Sequence, residues 1–484
     1  MFTHRYGEMQ CIDDDGSTRP NCQVRDCRKG RCCVHQGRRE RNHIRHEPPE
    51  HPLQASRPRE GPRHWRVSKL FPRFHIFLDT VETNNTSLHY RGSGTNGVIE
   101  ELRKCGFKGH IQVLSRETTQ PFDRTKLSKA LISDLSKIAW RSPEFYQKAG
   151  IEFIQDEATS VDFPSKKVST KSGASYDYTK LVIAVGGHPK ALPLPGLKEG
   201  ELENVFLLRS LVHTQGINEA LGDSSKKVVV IGSSFIGMEV ANHIAGREAK
   251  HQVTVVGMDK IPTEAVFGPQ LGTAFQKILE KAGVTFKMGA EVEKATPSQS
   301  NPKKAGALRL KDGTVLEADL IIEGVGVGPA TSFLGKDSDS KGAPGLEKDG
   351  SIKVDAHFRV PSLDSVYAIG DVATYPYHDQ PVRIEHWNVA ANAGRQVARD
   401  ITGKPVKSFT PVFWSALGAQ LRYCGNTSMG YDDVVIDGSL EVGKEKMPSF
   451  AAYYCKGEEV VAVATMAKGE SLIFTSLVLV FVCD

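Results

Sequence analysis

A glycine-rich turn between an apolar strand and a helix is the most informative chemical pattern in this sequence. Gly232, Ser234 and Gly237 hold the three small positions of a G-x-G-x-x-G loop, with serine in place of the middle glycine. The first small residue allows a sharp turn, the second lets the backbone approach a pyrophosphate, and the third lets the helix pack closely on the strand. We therefore predict a dinucleotide site here, with an ordinary turn of an α/β domain as the alternative.

The residues on both sides of this loop have the periodicity of the elements that must position it. Residues 228–231 are four consecutive β-branched residues, as in a parallel strand that is buried on both faces. Ile236, Val240 and Ile244 recur every four residues and give the following stretch the apolar face of a helix. Strand, loop and helix thus occur in the order that a dinucleotide-binding unit requires.

The strand predicted at residues 252–256 bears on the choice of nucleotide. A site for NAD normally has an acidic residue at the end of this strand, where it binds the ribose diol. Gly257 occupies that position, and Asp259 follows two residues later. Asp259 is therefore the candidate cofactor-binding residue of this segment, and the choice between NADH and NADPH is left open.

A second G-x-G-x-x-G pattern runs from Gly92 through Gly94 to Gly97. A helix is predicted after it and a strand at residues 110–115, which together would make a second βαβ unit. The preceding residues 86–91 are polar, whereas a buried parallel strand should be apolar. On its own, this loop supports a nucleotide site less well than the loop at Gly232.

Length and composition indicate an intracellular protein of several domains. The first 70 residues carry a net charge of +6 and the remainder −1, so the globular part gives no reason to expect a nucleic-acid partner. Neither a secretory signal peptide nor an apolar run as long as a membrane span is visible. We therefore expect a cytoplasmic or mitochondrial protein that is not secreted and has no membrane span.

Residues 1–85 are predicted to be a basic, disordered arm, because arginine, histidine and proline are abundant and no periodicity is visible. Five of the nine cysteines lie in the first 33 residues, and His35 follows them closely. Their spacing matches neither a pair of C-x-x-C knuckles nor the C-x-H and C-x-x-H pair of a Rieske centre. No metal site is predicted.

Three further glycine-containing strand ends follow in a characteristic order: AVGG at 184–187, GVGVGPAT at 324–331 and YAIGD at 367–371. With the two loops, they make the chain resemble the pyridine nucleotide-disulfide reductase family of flavoproteins, which have two dinucleotide-binding domains. Within that family it is most similar to the apoptosis-inducing-factor type of NAD(P)H oxidoreductase, close to ferredoxin and rubredoxin reductases. The resemblance covers residues 92–467.

The resemblance implies an α/β fold with two Rossmann-like dinucleotide-binding domains, one for FAD and one for NAD(P), and a small α+β C-terminal domain. The implied boundaries are an FAD domain at 86–208 and 332–404, an NAD(P) domain at 209–331, and an apparently truncated C-terminal domain at 405–484.

The resemblance also assigns site residues. Positions that match FAD-site residues, including those around the flavin and nicotinamide rings, are Gly92, Gly94, Arg116, Glu117, Arg124, Lys129, Ala158, Arg209, Gly370, Asp371, Glu385, His386, Trp387 and Trp414. Positions of the NAD(P) site are Gly232, Ser234, Gly237, Asp259 and Gly326. Lys129 would approach the flavin with Glu239 as its acidic partner, and these two are the candidate catalytic residues. A solvated helix pair is the alternative for Lys129 and Glu239, and ordinary core packing is the alternative for the tryptophans.

The expected reaction follows from a missing motif. A disulfide reductase of this family carries a redox-active C-x4-C on the segment that residues 124–129 occupy, and no cysteine is present there. We expect hydride transfer from NAD(P)H to FAD and then electron transfer to a ferredoxin-like carrier, a quinone or O2; the chain could form a homodimer.

Two other readings stay open. One is a degenerate apoptosis-inducing-factor-like protein with impaired FAD binding, because alignment on the first helix puts Tyr90 and Arg91 where the family has glycines. Such a protein would act in binding or signalling. The other is a dehydroascorbate- or disulfide-type reductase.

Overall fold

The computed structural model describes residues 92–335, 338–443 and 445–467, and before them the backbone of three short strands. The chain divides into two compact units, Met1–Ser68 and Lys69–Asp484. In the first unit the described backbone is one antiparallel pair of strands, Gln10–Ile12 and Thr18–Pro20. The cysteine and histidine cluster at 22–35, the residues Tyr90 and Arg91, and the C-terminal residues 468–484 lie outside the described part of the chain.

The second unit contains seven α-helices among its described residues. They are α1 (Ser93–Lys104), α2 (Thr125–Ala130), α3 (Pro143–Lys148), α4 (Leu211–Leu221), α5 (Phe235–Ala245), α6 (Glu264–Lys281) and α7 (Trp387–Ile401). Short 3-10 helices lie at Leu135–Lys137, Ser332–Leu334 and Gly370–Val372. No helix among the described residues is long and apolar enough to cross a membrane.

The first lobe is built on a sheet of five parallel strands. In spatial order these are Val366–Ala368, Lys180–Ile183, Arg73–Leu78, His110–Ser115 and Ile151–Gln155. The central strand, Arg73–Leu78, lies inside the range 1–85 that the sequence assigns to the arm. Sequence reasoning missed this strand because residues 79–91 separate it from α1, whereas the motif predicts a strand directly before the glycine-rich loop.

Helices α1 and α7 pack against each other through glycines. A Cβ atom on Gly97 would lie 2.3 Å from the carbonyl oxygen of Ala391, and one on Gly394 would lie 2.3 Å from the carbonyl oxygen of Gly94. Gly92 is the N-cap residue of α1. Gly94 and Gly97 of the literal motif therefore serve helix packing, because only glycine allows backbones to approach this closely.

Replacing Gly394 with alanine should destabilise the protein by about 1–3 kcal/mol, because the added methyl group must push the two helix backbones apart. Urea-induced unfolding followed by circular dichroism measures the change. Gly246→Ala is the matched control, since a Cβ there meets its nearest atom at an ordinary 3.5 Å. Equal unfolding midpoints for the two variants would contradict the packing argument.

The second lobe is also built on five parallel strands. In spatial order these are Val205–Leu207, Leu320–Glu323, Lys227–Ile231, Gln252–Val256 and Val284–Lys287. The strand Val205–Leu207, which pairs with Leu320–Glu323, precedes residue 209, where the NAD(P) domain is predicted to begin. That strand has only three residues, too few for a periodicity that would have revealed it.

Smaller antiparallel sheets complete the two lobes. Three of them have three strands each: Ala158–Asp162, Lys167–Thr170 and Ser175–Asp177; Val292–Pro297, Ala305–Leu310 and Val315–Glu317; and Ile352–Lys353, Ala373–Tyr377 and Gln380–Val382, where the first pair is parallel. Gly187–Pro189 pairs with Val327–Pro329 where the chain crosses between the lobes.

The C-terminal lobe is a five-stranded antiparallel sheet. Its strands are, in spatial order, Val412–Ala416, Gln420–Gly425, Glu459–Met466, Ser449–Lys456 and Asp433–Ser439. Residues 405–443 and 445–467 contain no helix, so the helical part of the predicted α+β domain is not found in them. Aromatic side chains join this sheet to the second lobe; Phe267 of α6 lies 5.4 Å from Tyr423, ring centre to ring centre.

Candidate functional site

A cavity of about 560 Å³ lies where the first lobe, the start of α5 and the C-terminal sheet meet. Its volume is in the range of small-molecule and cofactor sites, and such sites commonly lie at domain interfaces. Thirteen predicted site residues line it: Gly92, Gly94, Arg124, Lys129, Arg209, Ser234, Glu239, Gly370, Asp371, Glu385, His386, Trp387 and Trp414. The others lie outside its lining: Arg116, Glu117, Ala158, Gly232, Gly237, Asp259 and Gly326.

Lys129 and Glu239 form an ion pair in the cavity wall. The Lys129 Nζ atom lies 2.8 Å from Glu239 Oε1, and the two side chains are 15% and 4% exposed. Glu239 also accepts hydrogen bonds from Ser128, at 2.5 Å, and from Ser415. Because α2, α5 and the C-terminal sheet each supply a partner, the pair is not the solvated helix pair that was the alternative.

The two serines were missed by sequence reasoning. Ser128 precedes Lys129 on α2, and Ser415 follows Trp414 on the strand Val412–Ala416. Both are next to residues that the sequence did identify, but a serine hydroxyl carries no pattern that distinguishes a buried donor from a surface one.

Arg209 and Asp371 form a second ion pair in the wall. The Arg209 Nη2 atom lies 2.6 Å from Asp371 Oδ2. Arg124 donates to the Arg209 carbonyl oxygen at 3.4 Å and to Glu117 at 2.6 Å, so it links Glu117 to the cavity. Arg116 contacts Glu157 at 3.3 Å, away from the cavity lining, and the buried Ala158 opens the strand Ala158–Asp162.

Arg383 organises the acidic side of the cavity, and sequence reasoning did not identify it. Its guanidinium donates to Glu385 at 2.6 Å, to Asp349 at 2.7 Å and to the carbonyl oxygen of Asp371 at 3.1 Å. Burial, together with the negative charge of Asp371, raises the pKa of Glu385, while the charge of Arg383 opposes that shift. The spacing Arg383-Ile384-Glu385 was the available signal, because alternate residues of an extended segment share a face.

His386 is held as a neutral ring. Burial lowers its pKa to about 3. Its Nδ1 atom accepts from the backbone N–H of Asn388 at 3.1 Å, and its Nε2 atom lies 3.0 Å from the Trp414 carbonyl oxygen. A neutral imidazole with its proton on Nε2 satisfies both contacts. His386 therefore caps α7 and ties it to the C-terminal sheet.

Two tryptophans line the cavity, and a third packs behind one of them. Trp387 meets Trp414 edge to face at 4.6 Å, and Trp140 lies behind Trp387 at 5.2 Å. Within the described residues, the indole N–H groups of Trp140 and Trp387 are buried without a hydrogen-bond partner. Sequence reasoning identified Trp387 and Trp414 but missed Trp140, since a lone tryptophan in a loop has no spacing pattern.

The loop at Gly232 opens towards this cavity from the second lobe. Gly232 has φ +112°, and a Cβ on it would lie 2.3 Å from the Gly324 carbonyl oxygen; a Cβ on Gly237 would lie 2.0 Å from the Gly232 carbonyl oxygen. Ser234 is the N-cap residue of α5 and makes no side-chain cap hydrogen bond. The first turn of α5 therefore presents backbone N–H groups, the arrangement that binds phosphate.

Gly326 and Asp259 lie further along the same edge of the second sheet. Gly326 has φ +96°, and a Cβ there would meet nothing within 4 Å. Asp259 is exposed in the loop after the strand Gln252–Val256.

Residues 92–394 match the family described as pyridine nucleotide-disulphide oxidoreductase. The chain is 34% identical to apoptosis-inducing factor 3 from Homo sapiens over 392 residues, which are 79% of this chain and 61% of that protein. It is 30% identical to putidaredoxin reductase from Pseudomonas putida over 388 residues, 78% of this chain and 87% of that protein. The chain thus spans about three fifths of the length of its apoptosis-inducing factor 3 relatives.

Solved structures of reductases share the fold. Putidaredoxin reductase in its covalent complex with putidaredoxin superposes with a TM-score of 0.74 and 27% identity, over 84% of this chain and 93% of that one. A ferredoxin reductase from Rhodopseudomonas palustris gives a TM-score of 0.71 and 28% identity, over 83% and 93% of the two chains. The α/β fold and the family resemblance drawn from the sequence are confirmed.

Proposed function

Because the chain belongs to the pyridine nucleotide-disulphide oxidoreductase family, we propose that it is an FAD-dependent NAD(P)H oxidoreductase that passes electrons to an external acceptor. The observation that carries this proposal is the cavity that the three lobes share. It brings the Lys129–Glu239 pair, the tryptophans of the first and C-terminal lobes, and the N-terminus of α5 to one place. A site that takes a flavin on one side and a nicotinamide on the other needs this convergence.

The residues in the cavity wall fit FAD. Gly186 and Gly370 have φ of +69° and +75°, so bare backbone with no side chain faces the cavity at two points. Trp387 also lines the cavity, and its buried indole N–H has no hydrogen-bond partner among the described residues. Arg124, Arg209 and Asp371 would hold the cofactor. When bound, FAD would supply the hydride and electron chemistry that these side chains lack.

The chain's own groups would bind the nucleotides, orient their rings and exclude water from the site. Backbone N–H groups at the start of α5 bind the NAD(P)H pyrophosphate, and the aromatic wall of Trp387 and Trp414 covers the rings and keeps water out. Lys129 places a positive charge in the wall, where Glu239 fixes its position. His386 stays neutral and holds the Trp414 backbone in place.

An external acceptor is proposed because residues 124–129 contain no cysteine that could form the internal redox disulfide. Relatives are named rubredoxin-NAD(+) reductase and putidaredoxin reductase, which supports a ferredoxin-like carrier as the acceptor. A quinone acceptor, a homodimer and a cytoplasmic or mitochondrial location are companion proposals. Quinone titration, sedimentation velocity and cell fractionation test them in turn.

The purified full chain should be yellow, and anaerobic titration with NADH or NADPH should bleach its flavin absorbance. The reduced protein is then mixed with ferredoxin, rubredoxin, quinone or dehydroascorbate. The compound that restores the flavin absorbance is the acceptor. Folded protein that binds NAD(P)H but no flavin would overturn the proposal in favour of a degenerate binding protein. Rapid reoxidation by dehydroascorbate alone would favour the third reading.

A further inference from the structure

We infer that the nucleotide site of the second lobe takes NADPH at least as readily as NADH. This inference rests on the proposed function, because it concerns the ribose end of the site that would bind NAD(P)H. It follows from the packing of Gly257, the residue at the end of the strand Gln252–Val256, against Ser233 in the glycine-rich loop.

Residue 257 lies where a ribose-binding carboxylate would be. The strands Lys227–Ile231 and Gln252–Val256 are parallel and in register, so Ile231 faces Val256 and both end at the same edge of the sheet. The backbone N–H of Gly232 donates to the Val256 carbonyl oxygen at 2.8 Å. The next residue along, Gly257, therefore lies beside the phosphate-binding loop, in the position where NAD sites have an aspartate or glutamate.

Ser233 would have to shift before residue 257 could carry any side chain, a carboxylate included. A Cβ on Gly257 would lie 2.5 Å from Ser233 Oγ, 2.8 Å from Ser233 Cβ and 2.8 Å from Cε at the end of the flexible Met288 side chain. Real Cβ contacts are essentially never below 3.0 Å, and Ser233 is only 6% exposed and so has little room to move. Ser233 and a side chain at residue 257 cannot both keep the positions that the present packing gives them, and this chain has the serine and no side chain at residue 257.

The backbone of Gly257 is also occupied. Its N–H donates to the Lys287 carbonyl oxygen at 3.0 Å, and its own carbonyl oxygen accepts from Ala290 at 2.9 Å. The carbonyl oxygen of Asp259 accepts from Gly289 at 2.8 Å. These bonds fix the loop to the neighbouring strand end, where the N–H of Gly257 is used and its carbonyl oxygen already accepts one bond.

The charges at this edge favour an additional phosphate more than a bare diol. A carboxylate at residue 257 would accept hydrogen bonds from the 2′- and 3′-hydroxyls and repel a 2′-phosphate. Its absence removes both effects. The exposed Lys260 follows in the same loop and the exposed Lys287 ends the neighbouring strand, with the carboxylate of Asp259 in the loop and that of Asp312 near Lys287. The two lysines would attract the dianionic 2′-phosphate of NADPH once no carboxylate at residue 257 repels it.

Isothermal titration calorimetry of the purified full chain with NAD⁺ and NADP⁺ tests the inference without turnover. We expect NADP⁺ to bind as tightly as NAD⁺ or more tightly. NAD⁺ binding more than tenfold tighter than NADP⁺ would overturn it. If neither nucleotide binds, the proposed function itself fails, whereas preference for NAD⁺ in a protein whose flavin is bleached by NADH overturns this inference alone.

A double variant tests the steric argument. In Ser233→Gly/Gly257→Glu both close contacts of the serine are removed and a carboxylate is restored, so we expect a shift of tenfold or more towards NAD⁺. Ser233→Gly alone is the control and should keep the wild-type ratio. Asp259→Asn tests whether the remaining carboxylate of this loop binds the ribose diol instead. A selective tenfold loss of NAD⁺ binding in that variant would overturn the inference, and parallel changes for both nucleotides would support it.

Discussion

Glu239→Gln should slow the bleaching of bound flavin by NAD(P)H by about 100-fold, the size of effect seen when one preorganised electrostatic contact is removed from an active site. The carboxylate of Glu239 accepts from Lys129, Ser128 and Ser415. An amide offers one acceptor atom instead of two, and its nitrogen must face one of these donors. Lys129 would then lose the partner that fixes its charge at the cavity wall. Stopped-flow absorbance with saturating NADH measures the rate constant.

The same substitution should also lower stability, and the two effects must be separated. Removing one partner of a buried ion pair costs about 3 kcal/mol, because the remaining charge is left without compensation. Lys129→Met and Lys126→Met make a matched comparison: both lysines lie on α2, but Lys126 is exposed and does not line the cavity. We expect Lys129→Met to slow bleaching as Glu239→Gln does, and Lys126→Met to leave both rate and melting temperature unchanged.

One outcome would contradict a functional role for the Lys129–Glu239 ion pair. If Glu239→Gln and Lys129→Met lower the melting temperature but leave the bleaching rate within twofold of wild type, the ion pair serves only to hold α2 against α5. The rate is measured at a temperature well below the midpoint of unfolding, so partial unfolding cannot imitate a loss of rate.

The sequence could predict residues whose role depends on a local pattern. Gly232 and Gly237 sit in a motif whose spacing reflects one turn, and their backbones make the contacts that the motif requires. Lys129 and Glu239 were paired only through the family resemblance, since 110 positions separate them and no periodicity links α2 to α5. Their burial distinguishes them from a solvent-exposed ion pair, and it is known only once the fold is known.

Other features depend on contacts that no local pattern records. Arg383 acts through three acceptors at different places in the chain, and Trp140 matters because it stacks behind Trp387. The strand Arg73–Leu78 was hidden by its distance from α1, although its apolar residues are typical of a strand. Gly257 was visible as a missing carboxylate, but only the position of Ser233 gives the physical reason for it.

Sequence reasoning also missed Glu323, for which we predict a large pH-dependent effect on the free energy of unfolding. It ends the strand Leu320–Glu323, is 3% exposed, and accepts from the backbone N–H of Leu192 at 2.8 Å. Burial raises its pKa from 4.5 to about 7, the Leu192 N–H opposes that shift, and the charge of Glu199 adds to it. The folded protein therefore holds this proton more tightly than the unfolded chain does.

The sign of the pH dependence follows. Between about pH 4.5 and 7 the folded state binds more protons at Glu323 than the unfolded state, so the free energy of unfolding falls as pH rises. Above about pH 7 the loss is complete, and a shift of this size corresponds to about 3 kcal/mol. Glu323→Gln keeps an acceptor for Leu192 and carries no charge, so it should be more stable than wild type at pH 8 and nearly equal to it at pH 5.

Chemical denaturation of both proteins at pH 5, 6, 7 and 8 measures the difference at each pH. Glu201→Gln is the control, because Glu201 is an exposed carboxylate in the same crossing between the lobes as Leu192 and should show no pH-dependent gain. A constant difference between Glu323→Gln and wild type across this range would contradict a buried carboxyl that ionises near neutral pH. A growing difference would mean that the second lobe, next to the glycine-rich loop, loses stability in the same pH range in which NAD(P)H would be bound.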